Sequence, residues 1–519
     1  MNTPVFNVNE YGGIQSSINL AENTGGTVFI PEGLYVSPTL YYKSGMTIAG
    51  EGENSIVQLA DNTNASLFRN NDPANGNQTI IFDDFHIIGN KANQVNNLGT
   101  PEHGIAAYKV GDITIKNMHI EDCGKDAIYL GGEIVDGIAS GPSERVNILG
   151  NLLETSRRHG MAITSAKDVL VDGNTIQNLD DFGIDIEPNS VIVDYINRIT
   201  ITNNAFYNIG LNPYSGVGTG RAIALQASGK EFETIKIFGN YIYCDYDDGC
   251  RGIGSSSPTA HDVEVIGNIL DGKINNGFLF TNGSSDVSII GNKISTSKSW
   301  LDYNQGIRLL DNCHDFMIAG NLVAGFYYSI SGLVNAPNVL RNITVEDCEV
   351  DGYIGFSGGD GLYENITLIN NFSIENPVPY PSINTISYQS SKFRDYYFIT
   401  VFNRKQLNIV NVNSLKLSLE QGALYNLYNT FNYPQEYQSY RYEFNTSPWK
   451  VPMSSTKWTL RTPIVSAPYM INPQPSFGSF ILEKSPAVSY PTRQPKINIK
   501  GNPYAIYGLG GIASLRTRR

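Results

Sequence analysis

The chain has 519 residues, of which 41% are hydrophobic and only 16% charged, with 51 glycines. That is enough apolar content for a core and too little charge for a disordered chain, and the length favours several domains or one long repeat array. The formal net charge of −13 repels nucleic acid and anionic membranes, and no apolar run is long enough to span a bilayer, so neither nucleic-acid binding nor membrane insertion is expected.

Met1 leads through Asn2, Thr3 and Pro4 into a strand-like Val5–Phe6, without the charged and apolar stretches of a leader. The segment from Gly13 to Glu22 is expected to form a short amphipathic helix. It would cap the open end of whatever follows, and the 25–36 stretch would begin the first strands.

From about Met46 a short pattern returns along the chain: apolar, any, apolar, any, Gly or Asn, Asn. It reads HIIGN at 86–90, VNILGN at 146–151, VLVDGN at 169–174, ITITNN at 199–204, IKIFGN at 235–240 and VEVIGN at 263–268. It continues as VSIIGN at 287–292, FMIAGN at 316–321 and ITLINN at 366–371. Weaker copies stand at 113–118 and 343–348, and the spacing runs from 23 to 36 residues. Each copy offers an alternating strand, a Gly-Asn turn, a second short strand, and a third strand opening on Gly, as in GMAI at 160–163 and GIDI at 183–186.

Three strands per repeat, stacked at roughly 4.8 Å, predict an all-β chain: a single-stranded right-handed parallel β-helix. The Asn residues at the turn tolerate left-handed backbone angles and are expected to form an inward amide ladder through Asn90, Asn151, Asn174, Asn204, Asn240, Asn268, Asn292, Asn321 and Asn371. Their role is structural. Five cysteines (Cys123, Cys244, Cys250, Cys313, Cys348) make no disulfide framework and are expected as free buried thiols. No local His or Cys spacing supports a zinc site, and neither metal nor cofactor is expected.

The predicted organisation is a cap and first strands at 1–45, the β-helix at 46–375, a linker or last coils at 376–422, and an extended, β-rich C-terminal part at 423–519. The opening of the chain resembles the pectate-lyase-like β-helix superfamily, which includes phage tailspikes and polysaccharide-degrading enzymes. Tyr11, Gly12, Gly25, Gly26, Val28, Pro31, Gly33 and Tyr35 match its Tyr-Gly, short helix and GG-x-V-x-x-P-x-G-x-Y pattern. The acidic stretch common in tailspikes is missing between Gly12 and Ile14. The resemblance implies a polysaccharide partner, a C-terminal part that holds three chains together as a homotrimer, and a place on a virion tail or outside the cell. The alternative for that part is a tail folding back along its own helix.

Candidate chemistry comes from laying the third strands in register on their leading Gly. Ile184 and Ile186 then face the core, so Asp185 and Glu187 face outward together. Ala162 and Thr164 precede them by one coil and Ala224 and Gln226 follow, with Tyr129 farther back. An i, i+2 pair has Cα atoms roughly 6.5–7 Å apart. Separations of roughly 6.5–9.5 Å suit an inverting glycosidase, and side-chain splay would also reach the closer spacing of a retaining one. Like charges this close push the two pKa values apart, giving an acid and a base.

The position before each Gly holds His159, Phe182, Arg221 and Arg251, with Arg158, Asp180, Asp181, Asp247 and Asp248 close by. The predicted site therefore has Asp185 and Glu187 as catalytic groups in an unassigned order. His159, Arg158, Arg221, Arg251, Gln226, Thr164, Phe182 and Tyr129 would hold substrate, the cations on an acidic sugar and Phe182 on a ring face. GIDIEPN resembles a motif of bacterial and phage β-helix proteins assigned to glycan degradation.

The expected function is a glycoside hydrolase acting on a bacterial surface polysaccharide, as a phage tailspike. One alternative is a polysaccharide lyase with a base among His159, Arg221 and Arg251. Another is a spike that binds glycan without cleaving it. The patterns of calcium-dependent pectate lyases, polygalacturonases (Ala224 stands where an Asp pair is expected) and alginate epimerases (no DPH triplet) are not met.

Overall fold

A computed structural model of the chain describes residues 3–373, apart from 96–99, 133, 136–137, 140, 189–193, 214–219, 227–232, 256–259, 299–303, 357–361 and 370, together with five strands between Tyr396 and Lys484. The chain divides into two units, Met1–Val287 and Ser288–Arg519. Among the described residues no helix is long and apolar enough to cross a membrane.

The first unit opens with the strand Val5–Asn7 and the helix Ile14–Ala21, which buries Ile14, Ser17, Ile18 and Ala21. Val5–Asn7 already pairs in parallel with Thr27–Phe29, and Thr27–Phe29 with the start of Met46–Leu59. From there the chain winds through coils of three strands, the expected number. One such coil consists of Ala166–Asp172, Thr175–Leu179 and Phe182–Ile186.

Pairing between coils is parallel and in register. Val146, Val169, Ile199, Ile235 and Val263 form one column of the first sheet. Leu153, Ile176, Phe206, Ile242 and Leu270 form one of the second. Ile184, Ile223, Ile253 and Phe278 form one of the third. These side chains are almost wholly buried. Each contributes about 1.5–3 kcal/mol by leaving water, so the stacked columns are the main source of stability.

The Asn ladder runs through this unit from Asn151 to Asn268. Asn90, expected in it, is not, because His86 aligns with His119 and His119 with Leu152. Asn90 therefore follows the second strand of its coil and donates to the Leu59 carbonyl and Asp61 instead. Asn151 donates to Asn174 at 2.8 Å, Asn174 to Asn204 at 2.8 Å, Asn204 to Asn240 at 3.0 Å and Asn240 to Asn268 at 2.9 Å. The left-handed backbone, however, sits one residue earlier, at Gly150, Gly173, Asn203, Gly239 and Gly267. The pair divides the work: the first residue turns the chain, and the second aims its amide inward. Met118 takes the ladder position in its coil, its backbone N–H donating to Asn151 at 2.9 Å.

The Gly that opens each third strand has a different reason. A Cβ at Gly183 would lie 2.4 Å from the Ala222 carbonyl oxygen and 2.7 Å from the Phe206 ring. Only a residue without a side chain lets that corner close.

In the second unit, Gln305–Leu310, Tyr328–Leu333 and Tyr353–Phe356 pair in parallel, as do His314–Ala319, Val339–Glu346 and Leu362–Ile369. Asn292 donates to Asn321 at 2.9 Å, repeating the ladder. Toward the C-terminus, Tyr396–Ile399 pairs antiparallel with Gln406–Asn411. Leu424–Asn429 pairs antiparallel with both Gln438–Glu443 and Phe480–Lys484. The rest of the expected linker and C-terminal part lies outside the described residues. All five cysteines are buried and none is in a disulfide.

Candidate functional site

The pairing of the third sheet is the register expected from the leading glycines. Asp185 pairs with Ala162 on one side and Ala224 on the other, and Phe182 pairs with Arg221, which pairs with Arg251. Asp185, Glu187, His159, Arg158 and Gln226 meet at one place. An oxygen of Asp185, an oxygen of Glu187 and a ring nitrogen of His159 all lie within 4.8 Å of one another.

Asp185 is only 1% exposed, which differs from the open outward face expected of its column. The small neighbours do leave room beside it, but protein fills that room. Gln226 Nε2 lies 3.0 Å from each carboxylate oxygen, and His159 Nε2 stands 3.2 Å from Oδ2. The more accessible side chains are Glu187, at 13%, and Arg158, at 29%. Arg158 donates through Nη2 to Glu187 Oε1, and its Nη1 lies 3.7 Å from Asp126 Oδ2.

Burial pushes the Asp185 carboxyl up to about 7, against the pull of the Gln226 hydrogen bonds and Arg158. Burial and the neighbouring Asp185 push Glu187 up to about 6. Asp181 also rises to about 6, through burial and its neighbours. His159 is held below its ordinary range by burial and by the Arg158 charge. Its Nδ1 accepts the Phe182 backbone N–H at 3.2 Å, which leaves the ring proton of a neutral imidazole on Nε2, facing Asp185. Three acids raised above their ordinary range thus stand around one neutral imidazole; such clusters of perturbed groups can exchange protons near neutrality.

The remaining predicted residues take supporting positions. The His159 and Phe182 rings stack at 5.0 Å and 8°, so one face of Phe182 is occupied by the imidazole and not offered to a sugar. Tyr129 stacks on His103 at 4.5 Å, and its hydroxyl lies 3.2 Å from Thr164 Oγ1. Thr164 is buried. Arg221 donates to the Gly254 carbonyl at 3.1 Å and is buried; burial and Arg251 lower it to about 10. It acts on Asp185 by its charge. Asp247 pairs with Lys273.

Sequence reasoning missed Asp126 and His103. Asp126 is fully buried, accepts the His159 backbone N–H at 3.2 Å and stands 3.1 Å from His103 Nδ1. Burial works to raise its pKa, but Arg158 and the His103 contact hold it well below the usual carboxylate range. It therefore remains an anion that anchors Arg158. The signal was available: the register that aligns His159 with Phe182 places Asp126 and His103 in the two preceding coils.

The family described as the right-handed β-helix region matches residues 55–323, more than half of the chain. No curated protein matches the chain in sequence. Among solved structures, the chain is similar to the Family 28 exopolygalacturonase of Yersinia enterocolitica, at 14% identity over 75% of this chain and 77% of that one, TM-score 0.47. It is similar to PfbA, a surface adhesin of Streptococcus pneumoniae, at 14% identity over 78% and 98%, TM-score 0.46. It is also similar to gene product 12 of bacteriophage phi29, at 15% identity over 72% and 53%, TM-score 0.42. None of these likenesses assigns an activity. The family match rests on the coils themselves, and the chain belongs to the right-handed β-helix region family.

Proposed function

We propose that the chain is a polysaccharide depolymerase: a glycoside hydrolase for which Asp185 and Glu187 are the catalytic pair. The observation that carries this reading is their close approach in a buried cluster, with both carboxyl groups raised toward neutrality. Asp185, the more buried, holds the proton and serves as general acid. Glu187, paired with Arg158, is the ionised partner at the accessible edge.

Carboxyl groups about 5–5.5 Å apart suit a retaining mechanism, whereas inverting enzymes space them at roughly 6.5–9.5 Å. Oxygens within 4.8 Å accord with the first, and the retaining course is the one proposed here. Asp185 donates its proton to the glycosidic oxygen as the bond to the anomeric carbon breaks, and Glu187 forms a covalent bond to that carbon. Water then attacks, its proton passing to Asp185 and its oxygen replacing Glu187. Arg158, itself anchored by Asp126, keeps Glu187 charged and aimed. A bacterial surface glycan as substrate, and a trimeric phage tailspike as the setting, are what the resemblance of the opening Tyr-Gly and Gly-Gly pattern and of the GIDIEPN stretch implies.

The test is to incubate wild-type protein, Asp185→Asn and Glu187→Gln with surface polysaccharides and follow chain length by size-exclusion chromatography. Depolymerisation by wild type and a loss of at least about 100-fold in each folded variant supports the reading. Full activity in either variant removes that residue from the chemistry. Polymer bound but left intact by wild type supports a glycan-binding spike instead.

A further inference from the structure

On the second sheet of the first unit, away from the Asp185 strand, several coils bring two histidines and three glutamates together. His86 and His119 are register partners in adjacent coils. Their imidazoles lie face to face, with centroids 4.0 Å apart and planes 5° from parallel. Equivalent ring nitrogens therefore point the same way.

At the Nδ1 edge stands Glu53, whose Oε2 is 2.8 Å from His119 Nδ1 and 3.8 Å from His86 Nδ1. At the Nε2 edge, His86 meets Glu121 at 3.1 Å and His119 meets Glu154 at 3.0 Å. Glu154 is held in turn by Gln177, which donates to its other oxygen at 2.6 Å. Three carboxylates face two imidazoles, and none of these glutamates is ion-paired to a Lys or Arg among the described residues. Burial and the adjacent His119 lower the pKa of His86, which opposes charging both rings together.

An imidazole that gives its Nε2 proton to a carboxylate keeps its lone pair on Nδ1. Histidines bound to metal are held in this way, by a carboxylate on the far nitrogen. Two such nitrogens stand side by side here with one carboxylate oxygen, all within 4.8 Å of one another, and a rotation of the stacked rings about their Cβ–Cγ bonds would turn both lone pairs onto one ion. We propose that His86 Nδ1, His119 Nδ1 and the Glu53 carboxylate bind one divalent transition-metal ion of the zinc class, with Glu121 and Glu154 fixing the two rings.

Two imidazoles and a carboxylate form a donor set for zinc and its neighbours, whereas calcium and magnesium prefer all-oxygen sets. Glu53 is 68% exposed, which leaves the remaining coordination position open to water. Ligands must be deprotonated to hold a metal, so binding is expected to release protons. The ligands lie far apart in sequence because each comes from its own coil, so no local His or Cys spacing announces them.

The test is calorimetric titration of the tag-free full chain with Zn²⁺ at pH 7.5, in two buffers of different ionisation enthalpy to count released protons. The expected result is one ion per chain with proton release. Binding should weaken at least 10-fold in Glu53→Gln, an exposed substitution that leaves the coils intact, and in His119→Gln. Glu154→Gln should weaken it by about 10–100-fold, and Asp185→Asn should leave it unchanged. No binding at micromolar zinc overturns the proposal. So does undiminished binding in Glu53→Gln, or a loss produced by Asp185→Asn, which would place the ion in the other cluster.

Discussion

Gln226 reaches back one coil to place its amide nitrogen 3.0 Å from both oxygens of Asp185. A neutral donor thus faces a carboxyl group that burial would otherwise keep protonated, and the balance sets Asp185 near 7. Replacing Gln226 by Leu removes the donor and keeps the bulk. The proton on Asp185 is then harder to lose, so the alkaline limb of the pH–rate profile should move to higher pH with the fold intact. An unmoved limb in Gln226→Leu would show that Asp185 does not govern it.

The activity of the unaltered protein should be bell-shaped. Glu187 rises to about 6 and Asp185 to about 7, and the pair titrates as a unit. One proton on the pair is the active form, so kcat/KM against pH should peak between about 6 and 7. A profile still rising at pH 9 would exclude this pair as acid and base.

The same acids make stability depend on pH. Asp185, Glu187 and Asp181 all have folded-state pKa values raised above their ordinary values. Below about pH 3 they are largely protonated in both states and cost little. As pH rises toward 7 the unfolded chain releases these protons first, so stability falls. A rise from 3.8 to about 7 at Asp185 corresponds to at most about 4 kcal/mol. Asp185→Asn should therefore match wild type most nearly in Tm at about pH 3 and exceed it at pH 8. Equal melting at pH 8 would mean that Asp185 is not raised.

Asn204 donates to Val171, Thr202 and Asn240 and accepts the Asn174 backbone N–H at 2.9 Å. Asn204→Ala strands buried carbonyl and N–H groups on both sides, at about 1–3 kcal/mol for each group left unpaired. Chemical denaturation should show a loss of at least about 2 kcal/mol. A loss under about 0.5 kcal/mol would mean that the ladder accompanies the coils without holding them.

The retaining course proposed for Asp185 and Glu187 has a stereochemical consequence. Proton NMR of the first product formed should show retention of the anomeric configuration. Inversion would show that a water, and not Glu187, attacks the anomeric carbon.

The coils were legible because their causes are local and repeat. Alternating Val and Ile columns, the Gly-Asn turn and the Gly before each third strand all recur every 23 to 36 residues. The register of Asp185 with Ala162 and Ala224 followed from that Gly alone. Its burial did not, because alternation separates the core side from the outer side and does not report what then closes over the outer side. Here that is Gln226 and His159, from neighbouring coils. The left-handed turn residue was assigned one position late because Gly and Asn both suit it, and only the backbone separates Gly173 from Asn174. Asp126 was missed because the position before the leading Gly was compared only from His159 onward, and one coil earlier Ala127 stands in place of that Gly. The His86–His119 pair escaped because its members, 33 residues apart, meet only through coil stacking.

The most direct measurement of the central claim is the mass of the products. Wild-type protein and Asp185→Asn would be incubated with a panel of bacterial surface polysaccharides and the fragments weighed by mass spectrometry. The account predicts oligosaccharides from at least one polymer, each carrying one added water per cleaved bond, and none from Asp185→Asn. Unsaturated fragments with no added water, or identical fragments from Asp185→Asn, would contradict it.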